Sequence, residues 1–254
     1  MTSLLDLAIL FAAALAAGLF NALAGGGSIF TFPALIAIGV PPILANVTNT
    51  VALCPGYVGG VLAQRRDLEG QSRRMLLLLP VAAAGGVAGA LLLTRTSDAT
   101  FRALVPLLVL GACALLAVQD RMRALLQRRH ALIALGRAVP PVLLAAIYGG
   151  YFGAGLSVMF LAMIGLAIDD NLTRLNALKQ AMSLVTNLAA ALLFAAAAPV
   201  VWPAAAVMAV GALIGGALGG KLAGAVRPAT LRAIVVAIGL LIAAYFALDY
   251  WQGT

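Results

Sequence analysis

The chain has 254 residues, of which 64% are hydrophobic and 9% charged, with a mean hydropathy of +1.10 and a formal net charge of +8. A soluble domain carries roughly 45–50% apolar and about 25% charged residues, so this composition excludes a water-soluble globule and makes lipid the solvent. The arginines stand in short clusters between apolar runs, as in Arg65, Arg66, Arg73 and Arg74, which is the placement of membrane loops facing anionic lipid and argues against nucleic acid as a partner.

In chain order, apolar segments run over residues 4–23, 28–38, 43–63, 75–94, 100–118, 138–151, 154–168, 172–198, 202–222 and 231–248. Unbroken apolar runs predict an all-α polytopic membrane protein, because barrel strands would be about ten residues long and alternate in polarity. Ala, Leu, Gly and Val dominate these runs, and small residues let helix backbones approach closely where lipid removes the hydrophobic drive between helices. The opening segment carries Asp6 where a signal peptide would be basic, so it is read as a retained helix. Whether it crosses fully or dips and returns stays open from sequence. A full crossing needs about 20 residues, and segments 28–38, 138–151 and 154–168 fall short of that.

Two of the short segments open on matching glycine-rich breaks. The first reads Gly25-Gly26-Gly27-Ser28, following Asn21, and the second reads Gly153-Ala154-Gly155-Leu156-Ser157. Each short segment is followed by an Asn-bearing stretch, Asn46-Val47-Thr48-Asn49-Thr50 in the first half and Asn176-Ala177-Leu178-Lys179-Gln180 in the second. The spacing of Asn46, Asn49 and Thr50 on one helix face repeats in Asn176, Lys179 and Gln180, with Ser183 and Asn187 continuing that face. The chain therefore reads as one transmembrane domain over 1–254, duplicated as repeat one 1–126 and repeat two 131–254. Each repeat is expected to open with a glycine-broken short-helix pair followed by three spanning helices.

Charge placement orients the repeats. If eight simple helices alternate, the 16 Lys and Arg divide nine against seven, with no bias. If each half crosses an odd number of times, they divide fourteen against two, Arg95 and Arg102 being the two. The positive-inside rule selects the second arrangement. An odd-crossing repeat is inverted relative to its partner, which puts both termini on the non-cytoplasmic side. Inverted repeats with helices broken at matching positions are the mark of secondary transporters.

The N-terminal end of a half-helix offers free N–H donors and a partial positive charge, which suits an anion. All eight carboxylates, including Asp6, Asp98 and the pair Asp169-Asp170, lie in loops or at segment ends, whereas Lys179 lies inside an apolar run. An intramembrane cation without intramembrane carboxylates points to an anionic ligand. A lysine snorkelling to the interface is the equal alternative for Lys179. The Asp pair reads as a helix N-terminal cap before Leu172. The sole histidine, His130, sits in the basic central loop, and Ser28 and Ser157 have no catalytic partners, so neither an enzyme nor a metal or other cofactor is expected. Cys54 and Cys113 read as small core residues.

The run Asn21 through Ser28, Pro33 and the stretch Ala45–Thr50 resemble the first repeat of the TauE/SafE sulfite exporter family, and Gly149–Gly155 with Arg174–Gln180 is similar to its second. The resemblance covers nearly the whole chain. It implies a bacterial or archaeal plasma-membrane permease for sulfite, a sulfonate or a related organosulfur anion, driven by a proton or sodium gradient. It carries substrate binding over to Gly25, Gly26, Gly27, Ser28, Asn46, Thr48, Asn49, Thr50, Gly153, Gly155, Asn176, Lys179 and Gln180; Asn21 and Ser157 complete the candidate set. The second repeat has no proline matching Pro33, Met163 and Ile164 standing in that region instead. An anion channel and a non-transporting membrane assembly factor are the two rival readings, and the oligomeric state is not legible.

Overall fold

The computed structural model describes residues 3–23, 26–127 and 135–222, together with positions 236, 237, 240 and 241. Gly25, His130 and most of the segment 231–248 lie outside the described residues. The described residues form α1 (Leu4–Leu23), α2 (Ser28–Ala37), α3 (Pro42–Ala63), α4 (Ser72–Thr94), α5 (Asp98–Gln127), α6 (Val139–Tyr151), α7 (Leu156–Ala167), α8 (Leu172–Ala197) and α9 (Trp202–Leu222), with no strand among them. By length and composition α1, α4, α5, α8 and α9 suffice to cross a membrane. The 22-residue α3 is as long, but Asn46, Thr48, Asn49 and Thr50 dilute its hydropathy.

Two elements differ from the sequence expectation. The opening pair of the first half is not two short helices: α1 is continuous over 20 residues, a length of about 30 Å that spans a bilayer core, and only α2 is short. In the second half both α6 and α7 are short, as expected. Helix α5 runs nine residues past the apolar stretch to Gln127, because Arg, Met, Leu, Ala and Gln are strong helix formers that extend a helix beyond the lipid.

Glycines set the packing. A Cβ on Gly211 would lie 2.7 Å from the Phe11 carbonyl oxygen and one on Gly215 would lie 2.0 Å from that of Leu15, so α1 lies against α9 and runs parallel to it. In the same way Gly85 faces Ala146 and Gly89 faces the Ile147 oxygen, which sets α6 parallel to α4. The opening helix of each half thus rests on the fourth helix of the other. Helix α3 likewise packs on α9, and α8 on α4. Between α3 and α8 the contacts Gln64 to Asn176, Gly60 to Gln180 and Thr48 to Val201, just past the end of α8, fix an antiparallel run.

Interior apolar groups such as Leu10, Phe101, Leu116 and Phe194 are fully buried, while Leu62, Leu107, Leu144 and Leu192 face outward. That inversion suits a lipid surround. At one end of the bundle, Arg74 from the start of α4 and Arg174 from α8 both bond Asp170. Gln71, completely buried, donates to the carbonyl oxygens of Asp67 and Arg174. The helix cap is not the aspartate pair: Asn171 Oδ1 accepts from the Arg174 N–H at 2.9 Å, and Asp170 is drawn to the two guanidinium groups instead.

Candidate functional site

Both breaks are built on left-handed glycines. Gly26 has φ +93°, Gly153 has φ +81° and Gly155 has φ +78°, conformations that a Cβ opposes. They stand beside the middle of α5: Gly26 faces the Leu116 side chain and Gly155 faces the backbone of Ala112. Gly27 has an ordinary helical φ of −56°, yet a Cβ there would lie 2.3 Å from the Ala17 oxygen. Close approach, not backbone freedom, fixes that glycine.

The two breaks meet at one small cleft, lined by Ser28, Ile29, Phe32 and Pro33 from the first, Phe152 and Ala154 from the second, and Val109 from α5. Phe32 and Phe152 stand edge to face across it, with ring centroids 5.4 Å apart. Tyr148 holds the second break in place by donating its hydroxyl to the Ala154 oxygen at 2.6 Å.

The main-chain donors are partly committed. At the first break the Gly27 N–H donates to Asn21 Oδ1 at 2.9 Å, while Ile29 and Phe30 donate to the oxygens of Gly26 and Gly27. Asn21 is therefore a brace for the break. At the second break Leu156 and Val158 turn back onto Gly153 and Gly155. Among the described residues no acceptor stands opposite the N–H groups of Ala154, Gly155 and Ser157. These donors open α7, whose N-terminal end carries the positive side of the helix dipole.

The two Asn-bearing stretches separate. Asn46, 1% exposed, donates from Nδ2 to the Tyr151 main-chain oxygen at 2.8 Å, placing the first stretch against the second break. Thr48 Oγ1 accepts from the Val201 N–H, and the Thr50 hydroxyl turns back onto the Asn46 oxygen. The second stretch gathers elsewhere: Asn176 donates to Gln64 and accepts from Lys179 Nζ at 2.8 Å, and Gln180 lies against Gly60. Residues 46 and 60 are fourteen positions apart on α3, about 21 Å along its axis. Antiparallel α3 and α8 thus carry the two stretches to opposite ends, so Asn176 and Lys179 do not stand beside Asn46 and Asn49. Lys179 itself is 1% exposed, so it does not snorkel to the surface.

Of the residues singled out from sequence, Ser28 lines the cleft directly. Gly26, Gly27, Gly153, Gly155 and Ser157 shape its walls, and Asn46 braces it. The sequence reading missed Phe32, Val109, Tyr148 and Phe152. The aromatics Phe32 and Phe152 lie within five residues of the glycine breaks, which is a signal that marks them in hindsight; nothing local marks Val109.

A family model described as sulfite exporter TauE/SafE matches residues 10–246. The "Probable membrane transporter protein" of Haemophilus influenzae is 30% identical over 250 residues, covering 96% of this chain and 95% of its own. The "Probable membrane transporter protein YfcA" of Escherichia coli is 28% identical over 255 residues, covering 98% and 92%. No solved structure matches. With apolar spans, paired glycine breaks and a family match along nearly its whole length, the chain belongs to the sulfite exporter TauE/SafE family of multi-pass membrane transporters.

Proposed function

We propose that this chain moves a small anion, sulfite, a sulfonate or a related organosulfur anion, across the plasma membrane by alternating access. The observation that carries this reading is the convergence of both breaks on one cleft beside the midpoint of α5. The N–H groups of Ala154, Gly155 and Ser157 are suited to the anion's oxygens, with Ser28 facing them from the other half. The apolar remainder of the cleft excludes water and raises the worth of each of those bonds.

The reading treats residues 1–126 and 131–254 as two oppositely facing halves of one transport domain, with the basic end cytoplasmic and both termini on the far side. The antiparallel run of α3 and α8 and the reciprocal packing of α1 on α9 and α6 on α4 support it. Alternating access then is one bundle rocking against the other about the glycine breaks. Family membership favours this over catalysis.

Purified protein in proteoliposomes supplies the test. Saturable uptake of sulfite or a sulfonate, together with a rise in melting temperature on adding the same anion, is expected. Neither effect across a panel of sulfite, sulfonates and carboxylates would favour an assembly role, and non-saturating current would favour a channel.

A further inference from the structure

The two Asn-bearing stretches match position for position but end differently. In the second, the Asn176 amide is oriented by its Nδ2 bond to Gln64, and its Oδ1 receives the Lys179 ammonium three residues on. In the first, the Asn46 amide is oriented by its Nδ2 bond to the Tyr151 carbonyl, an obligate acceptor. That bond fixes the flip of the amide, so Asn46 Oδ1 is an acceptor pointing away from Tyr151. No donor meets it among the described residues, and the side chain is 1% exposed.

The residue three positions on, where the second stretch has its lysine, is Asn49. It is 2% exposed, and its Oδ1 also lacks a partner among the described residues. Counted from the turn at residues 38–41, Thr31 lies seven residues before Ile38 and Asn49 eight after Pro41, so the two stand at similar depth on α2 and α3. Thr31, fully buried, has an Oγ1 without a partner among the described residues as well. A buried oxygen left without a donor is costly, and native folds seldom leave one uncompensated.

We propose that Asn46, Asn49 and Thr31 bind one sodium ion, which stands in the first half where the Lys179 ammonium stands in the second. The ligand chemistry is all neutral oxygen, which suits a hard monovalent cation. A divalent ion would call for carboxylates, and the described acidic residues all lie outside this site. A proton is excluded as the occupant because amide oxygens do not bind one near neutral pH. Tyr151 ends α6, so the negative end of that helix dipole adjoins Asn46. Unwound carbonyls and half-helix C-terminal ends are the usual sodium ligands of broken-helix carriers. Tyr151 adjoins Phe152 of the cleft, so a cation here offsets the charge of a bound anion. The ion's role in coupling rests on the transport reading above; its binding does not.

The experiment uses the full chain in detergent, with sodium chloride against choline chloride at equal ionic strength and no other anion. A rise in melting temperature of about 3 °C at ~150 mM sodium is expected, with saturable binding of radiolabelled sodium. Asn49→Lys supplies a tethered ammonium. It should bring stability in choline up to that of the wild type in sodium and abolish sodium binding. Asn49→Ala, which only removes an oxygen, should lose the sodium response without that gain. No sodium response in the wild type, or a response that survives in both variants, overturns the proposal. Sodium binding without any anion effect in the uptake assay would instead count against the anion reading alone.

Discussion

The side-chain amide of Asn46 donates to the main-chain oxygen of Tyr151 over 2.8 Å, joining positions 105 residues apart. It ties the polar face of α3 to the end of α6, so that an element of the first half braces the break of the second. Asn46→Ala removes the donor and leaves that carbonyl buried. A loss of about 1–3 kcal/mol is expected, read as a lower melting temperature in detergent. Asn46→Asp should be no better, since a carboxylate cannot donate and repels the carbonyl.

At the basic end, burial pushes the Asp170 carboxyl up, but hydrogen bonds from Arg74, Arg174 and the Asn171 N–H outweigh it and hold the group below the usual carboxylate range. A depressed pKa in the folded state contributes stability above the unfolded value of about 3.9, and that contribution fades as pH falls through the lower folded value. Asp170→Asn should therefore cost about 1 kcal/mol near pH 7, with the gap to wild type closing progressively below about pH 4. Melting temperatures of both proteins across pH 3–8 (roughly the accessible range) check this. A constant gap would show that the aspartate acts by shape rather than charge.

Lys179 and Asn176 form a second polar couple at 2.8 Å, away from the cleft. Lys179→Met keeps the length of the chain and removes the charge. Uptake of the transported anion is expected to fall about tenfold, equivalent to roughly 1.4 kcal/mol, with a smaller effect on melting temperature. Wild-type uptake in this variant would remove the lysine from the transport cycle.

Helix contact in lipid depends on small residues, and one of the two closest approaches among the described glycines puts a Cβ position on Gly215 only 2.0 Å from the Leu15 oxygen. Gly215→Leu should force α1 off α9 and cost about 3 kcal/mol or more, seen as aggregation on size-exclusion chromatography. Gly111→Ala on α5 meets nothing within 4 Å and should be neutral or slightly stabilising. Equal behaviour of the two variants would contradict the packing described.

The sequence by itself determined the solvent and the elements. Apolar runs of bilayer length have no stable alternative in water, so the described helices, the end of α5 apart, begin and end within a few residues of where composition places them, from α1 at Leu4 to α8 at Ala197. The glycine breaks were equally legible, because positive φ at Gly26, Gly153 and Gly155 is a backbone demand written in residue type. What only the tertiary structure decided is which of these meet. The short helices bring Ser28 to Phe152 and Ala154, while antiparallel α3 and α8 carry Asn46 and Lys179 to different ends of the bundle. Spacing along a chain fixes the face of one helix, but partners across a bundle follow from helix direction and close approach, and neither is encoded locally.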